Sequence, residues 1–289
     1  MSITFKQGLA LALIASFMFS LKPILIKQAY ELGANSEGFM VLRMWFAFPF
    51  YALLLFMYSK SYQGGIKLVL LSAAAGFLGY FLSSYLDLLA LESISAQAER
   101  IILYAYPSLV VLLKAFWEKR LPTARVILAV VIVYAGLLTL LPGEFNLTGS
   151  PLGLILMVCC AFSFATYVLV SKPLIEKMGA TLFTSIAMVS SCLFTQLNLL
   201  HTPPAVIMEY PFEVFAYGFA LAFFCTVIPS YAMSTAISVI GTERTAITGT
   251  SGPLFTTILA AIILGESITA FHISGLVLVI LGVYLLSKR

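Results

Sequence analysis

Charge is scarce in this chain: only 10% of its 289 residues are charged, and Asp87 is its single aspartate. A soluble domain carries about 25% charged residues, so a water-facing globular surface is excluded. With one aspartate and no close acid pair within a span, the sequence lacks the pattern that holds Mg²⁺, so membrane prenyltransferase or phosphotransferase chemistry is not expected. Histidine is limited to His201 and His272, and the cysteines Cys159, Cys160, Cys192 and Cys225 lack metal-ligand or disulfide-framework spacing. No Gly-rich phosphate cradle follows a strand, so no ATP-driven engine is expected. Basic residues do not interleave with exposed aromatics, so no nucleic-acid partner is expected either. The net charge of +4 is accounted for by positive loops beside anionic lipid. No metal and no organic cofactor is implied.

Apolar sequence is abundant instead, at 61% of the chain. A hydrocarbon core of ~30 Å needs about 20 apolar helical residues. Stretches of that kind fall near 8–29, 37–58, 67–90, 96–117, 123–142, 151–172, 181–200, 213–236, 243–265 and 270–287. The expected fold class is all-α and polytopic, with ten transmembrane helices. With the N-terminus cytoplasmic, Lys6, Lys60, Lys67, Lys119, Arg120, Arg125, Lys172, Lys177, Arg244, Lys288 and Arg289 fall on that side. Lys27 is the clear extramembrane base opposite. Short basic loops resist translocation, so both termini are expected in the cytoplasm and the chain in a plasma membrane of the bacterial inner type. Lys22 and Pro23 follow the first apolar run without a small-x-small cleavage site, so that run is read as a retained helix.

Sliding the chain against itself by 146 positions aligns residues that govern backbone shape. Gly33-Ala34 meets Gly179-Ala180, Ser84-Tyr85 meets Ser230-Tyr231, Ala90 meets Ala236, Pro107 meets Pro253 and Gly136 meets Gly282. The reading is an internal duplication, residues 1–146 and 147–289, with five spans each. An odd number of spans turns the second copy upside down, the inverted-repeat plan of many secondary transporters, with a site near the midplane. Pro23, Pro49, Pro107, Pro229 and Pro253 lie inside spans, and each frees a carbonyl that a neighbour or a cavity must satisfy.

This pattern resembles the drug/metabolite transporter superfamily, in particular its EamA-type members. The resemblance is carried by the Gly33-Ala34 turn with Arg43 in the next helix, by Ala90-Leu91-Glu92-Ser93-Ile94-Ser95-Ala96, by Pro253 followed by Leu264-Gly265-Glu266, and by Gly275 through Gly282. It covers the whole chain and implies export or exchange of a small metabolite. In the first half Pro107 to Glu118 is two residues shorter than Pro253 to Glu266, and Lys119 follows it.

An ionisable residue at a span centre costs about 2.5–3.5 kcal/mol on insertion scales. Lys22, Arg43, Asp87, Glu99 and Arg100 come from four helices, yet counting at ~1.5 Å per residue puts all five roughly 5–10 Å beneath the outer surface. The second half offers only Glu243 and Arg244, near an inner helix end. Three bases against two acids make a net positive site, suited to a carboxylate or phosphate. Asp87 is expected to compensate Lys22 or Arg43; Glu99 and Arg100, adjacent on a helix, are expected to face different partners. Arg43 also reads as a structural residue, because the resemblance places an arginine there whatever the substrate. Tyr85, Tyr104, Tyr106, Tyr167 and Tyr231, with Ser234, Thr248, Thr250 and Ser251, supply apolar bodies and hydroxyls for the rest of a pocket.

Gly249-Thr250-Ser251-Gly252 matches the motif of rhomboid-type intramembrane proteases, with His272 as the base. Counting along the helices separates Ser251 from His272 by roughly 20 Å, beyond the reach a nucleophile and base require. No enzymatic activity is expected. The functional expectation is a secondary transporter working by alternating access on an amino acid, organic acid, or nucleoside- or vitamin-like compound. Protons are the candidate coupling ion, and a monomer and a homodimer are both compatible. The alternative is a non-transporting scaffold or sensor built on the same fold.

Overall fold

The computed structural model describes residues 4–60, 62, 64–119, 122–148, 151–240, 248–249 and 251–287, and among them every regular element is helical. In chain order these are α1 (Phe5–Glu31), α2 (Ser36–Ser59), α3 (Ile66–Leu91), α4 (Ala96–Glu118), α5 (Ala124–Thr148), α6 (Leu152–Met178), α7 (Ala180–Leu200), α8 (Phe212–Ile240), α9 (Ser251–Leu264) and α10 (Ala270–Ser287). Seven of them, α1–α4 and α6–α8, are long and apolar enough to cross a bilayer. The apolar stretches Ala124–Thr139, Ser251–Leu264 and Ala270–Leu285 are shorter. Part of the expected span 243–265 lies outside the described residues, as do Glu243, Arg244 and Thr250.

Local chemistry sets the helix boundaries. The Thr4, Asn35 and Ser95 side chains accept from the first-turn N–H groups of Gln7, Gly38 and Ala98, satisfying donors that a helix start leaves free. Pro23 and Pro107 interrupt their helices: α1 breaks at Leu21, and α4 breaks between Leu103 and Tyr106.

The offset of 146 reappears in backbone geometry. A π-helical segment begins at Phe77 in α3 and another at Phe223 in α8, 223 − 77 = 146. Gly33 and Gly179, also 146 apart, both adopt positive φ, at 91° and 81°. Lys119 and Gly265, again 146 apart, end their helices in the left-handed conformation, with φ of 51° and 68°. At this offset Glu118 falls opposite Leu264, so it is not the counterpart of Glu266. The turn keeps its register, and Lys119 does the work that glycine does in the second half.

Packing follows the same duplication. Helix α5 lies along α10, and α2 along α7. The pairs α1–α8 and α1–α9 have their counterparts in α6–α3 and α6–α4, and α3–α7 has its counterpart in α8–α2. The two halves are therefore interleaved. Close approach is made by small residues, as membrane helices require: a Cβ on Gly76 would lie 2.1 Å from the Ala187 carbonyl, and one on Gly282 2.8 Å from that of Ala129.

The surface is inverted relative to a water-soluble protein. Phe56, Ile66, Phe116, Trp117, Val131 and Ile262 are exposed on the helix faces, whereas Arg43, Asp87, Glu99 and Arg100 are buried. An apolar exterior around a charged interior is what a lipid solvent selects. The chain is an integral, multi-pass membrane protein.

Candidate functional site

The site is built around broken helices. Pro23 has no N–H to offer the carbonyl of Phe19, four residues back, and Arg100 Nη2 donates to that oxygen from α4. Pro253 leaves the Gly249 carbonyl in the same condition, and Ser16 Oγ donates to it at 3.2 Å. Ser20 Oγ reaches the Gly252 carbonyl at 3.0 Å. Two of the proline-freed carbonyls are thus satisfied by side chains from another helix.

Around the α1 break the charges converge. Lys22 Nζ pairs with Asp87 Oδ2. Of its two expected partners, Asp87 takes Lys22 as its ion pair, with Arg43 nearby in its field. Arg100 Nε lies 3.5 Å from Glu99 Oε2. These neighbours therefore face each other, contrary to the expectation of separate partners; the α4 break just beyond them leaves only a short helical segment, Ala96–Leu103, on which both side chains fold into one buried space. Asp87 and Glu99 share one electrostatic environment with Lys22 and Arg100. Several polar atoms here are fully buried without a hydrogen-bond partner: Arg43 Nε and Nη2, Asp87 Oδ1, both Glu99 oxygens, Arg100 Nε and the Gln97 amide. Most buried polar groups are paired, so this density of unmet donors and acceptors marks a site that a polar ligand would complete. Gln97 was not anticipated from sequence. An uncharged amide carries no hydropathy signal as strong as a charge.

The aromatic residues form a second part. The rings of Tyr104, Tyr106, Phe164 and Tyr167 follow one another at centroid separations of 6.3, 5.0 and 5.7 Å. Tyr167 donates to Tyr80 Oη at 3.0 Å. Tyr231 packs on Tyr51 at 5.7 Å and bonds Ser185 at 2.8 Å, and Ser234 bonds Thr184 at 3.1 Å. Tyr51, Tyr80 and Ser185 were missed because a span contains many such residues and only packing selects those that face inward. Tyr85 stands apart, donating to Glu37 Oε1 at 3.0 Å. Ser251 is held by Ser16 at 3.2 Å and the Thr248 carbonyl at 2.8 Å, while His272 Nδ1 lies 3.1 Å from Thr269 Oγ1. Thr248 thus enters through its backbone.

Two further features bound the site. Glu266 from the second half accepts from Ala96 N at 2.9 Å and Gln97 N at 3.4 Å, with Lys27 4.0 Å away. This carboxylate sits where the helix dipole favours it. At the start of α2, Tyr210, whose hydroxyl burial pushes up in pKa, donates to Asn35 Oδ1 at 3.2 Å. At the opposite helix ends a cleft of about 510 Å³ opens between Tyr58, Leu68, Lys177 and Thr181. Leu68 and Asp87 lie 19 residues apart on α3, ~28 Å, so the cleft is remote from the charges. The buried unpaired atoms locate the site.

The sequence profile of the EamA-like transporter family matches residues 6–141 and again 151–288. The chain belongs to the EamA-like transporter family. An uncharacterized transporter of Bacillus subtilis strain 168, YcbK, is 28% identical over 280 residues, spanning 93% of this EamA-like chain and 88% of that protein. A protein of known crystal structure superposes with a TM-score of 0.68 over 99% of this chain and 96% of its own, at 13% identity, a likeness of fold alone. The two profile matches make each half of the EamA-like chain one repeat.

Proposed function

We propose that this EamA-like protein is a secondary transporter that carries a small metabolite by alternating access between two inverted five-helix repeats. The observation that carries this reading is the cluster of buried Arg43, Asp87, Glu99 and Arg100 with part-buried Lys22, rich in unpartnered polar atoms inside an apolar exterior. Desolvating each charge costs several kcal/mol, which a passive scaffold has no need to bear. Three bases against two acids leave the cluster positive, favouring a substrate with a carboxylate or phosphate. The adjoining row of Tyr104, Tyr106 and Tyr167 suits an amphipathic or aromatic body.

The swap-related helix pairings support two repeats turning about one axis, with ten spans and both termini on the cytoplasmic side, where basic residues concentrate. A thermal-shift screen of the purified protein against a metabolite library identifies the substrate, because a ligand of the folded state raises stability by RT ln(1 + [L]/Kd). Flux of the hit into proteoliposomes then tests transport. Saturable flux that Asp87→Asn impairs, with membrane insertion preserved, is expected. Absence of saturable flux for every binder sinks the reading.

A further inference from the structure

Of the three bases in the cluster, two are committed to partners within the protein. Lys22 is held by Asp87, and Arg100 divides between the Phe19 carbonyl and Glu99, 3.5 Å away. Arg43, on α2, is different. Among the described residues no ion pair includes it, and its Nε and Nη2 atoms are buried without a hydrogen-bond acceptor. Only 2% of the residue is exposed. Nε and Nη2 lie along one edge of the planar guanidinium with their N–H bonds parallel, the edge that both oxygens of one carboxylate engage at once. Arg100 cannot offer that edge, because its Nη2 already serves the carbonyl that Pro23 frees. The Gln97 amide is also buried and unpartnered, but it is neutral and cannot select for charge.

We propose that the Nε–Nη2 edge of Arg43 anchors the carboxylate of a monoanionic substrate, which makes Arg43 the specificity-determining residue of the site. The word substrate rests on the transport reading; the anchoring of a carboxylate does not. Charge selects carboxylate over phosphate. Lys22, Arg43 and Arg100 against Asp87 and Glu99 leave one positive charge. A carboxylate cancels it, whereas a phosphoryl group of about −1.5 to −2 charge would leave surplus negative charge in a buried site. Geometry agrees, since a partner with two oxygens satisfies both free donors together. Ala47 and Tyr51, four and eight residues beyond Arg43, share its side of α2 and are fully buried. Tyr51, ~12 Å further along the helix, packs on Tyr231 with ring centroids 5.7 Å apart. A carboxylate held by Arg43 therefore has paired aromatic rings two turns away along the same helix.

The test is a thermal melt of the purified protein titrated with acetate and with benzoate at constant ionic strength. Benzamide serves as the neutral isostere and inorganic phosphate as the more highly charged anion. A bound ligand raises stability by RT ln(1 + [L]/Kd). At least one carboxylate is expected to raise the melting temperature saturably, with benzamide and phosphate far weaker. Arg43→Lys keeps the charge but removes the fork, so it should fold and bind that carboxylate more weakly by about tenfold or more. Arg43→Gln should lose the response. A wild type that ignores both carboxylates, or answers benzamide or phosphate as strongly, overturns the proposal. So does an undiminished response in Arg43→Lys, whether or not Arg43→Gln folds. Carboxylate binding without flux sinks the transport reading and leaves the anchor standing, whereas saturable flux of a metabolite with no carboxylate does the reverse.

Discussion

Arg100 replaces the hydrogen bond that Pro23 denies to Phe19. The proline opens α1 within its span, and the guanidinium of α4 closes the open carbonyl. A kink in the sequence and a charge 77 residues later, 100 − 23 = 77, are thus one device, and the local break is held by a tertiary contact.

This dependence is measurable. Replacing Arg100 by Gln leaves a buried carbonyl unpaired, a loss of about 1–3 kcal/mol. Pro23→Ala restores the N–H and lets α1 bond the Phe19 carbonyl itself. The double variant is therefore expected to lose less stability than the sum of the singles. A double-mutant cycle on unfolding free energies reads the coupling; strict additivity would show that the two residues act independently.

The Lys22–Asp87 pair should show the asymmetry of buried ions. Lys22→Met strands a carboxylate and is expected to destabilise by about 3–5 kcal/mol, whereas Lys22→Met with Asp87→Leu removes both charges and recovers most of it. Chemical denaturation in detergent compares the three. A double variant no more stable than the single would remove the pair from the fold's energetics.

Gly76 tests the contact between the repeats. Its added Cβ would meet the backbone of Ala187, which cannot rotate away, so Gly76→Ala is expected to cost about 1–3 kcal/mol. Gly65, with φ of −77° and no neighbour within 4 Å, is the control. Gly65→Ala should be neutral or slightly stabilising in the same thermal melts.

Lys119 holds a left-handed conformation at the end of α4 that glycine holds at Gly265. A side chain is disfavoured there. Lys119→Gly is expected to raise stability by about 1 kcal/mol, and a lowered melting temperature would show that the lysine makes a compensating contact.

Several of these features were legible beforehand. The expected span 37–58 became Ser36–Ser59, and 67–90 became Ile66–Leu91, because apolar length is set by the bilayer and requires no partner. The offset of 146 in Gly33 and Gly179 survived because positive φ is a local demand that glycine meets most easily. Arg43, Asp87, Glu99 and Arg100 were visible as costly charges, and the structure buries all four. Their partners were not visible. Adjacent helical residues ordinarily diverge, so the Glu99–Arg100 contact could not be read from spacing. Nor could the choice of Tyr167 for Tyr80 over Tyr85, since any tyrosine in a span looks alike until a facing helix is present.

By itself, then, the sequence determined that lipid is this protein's solvent, where its helices run and that its plan is used twice, because hydropathy, proline and glycine act within a few residues of themselves. Which carbonyl Arg100 closes, which acid Lys22 neutralises and which polar atoms stay unpaired were decided only by tertiary structure. Those relations join residues dozens of positions apart, and nothing short of helix packing sets their distance.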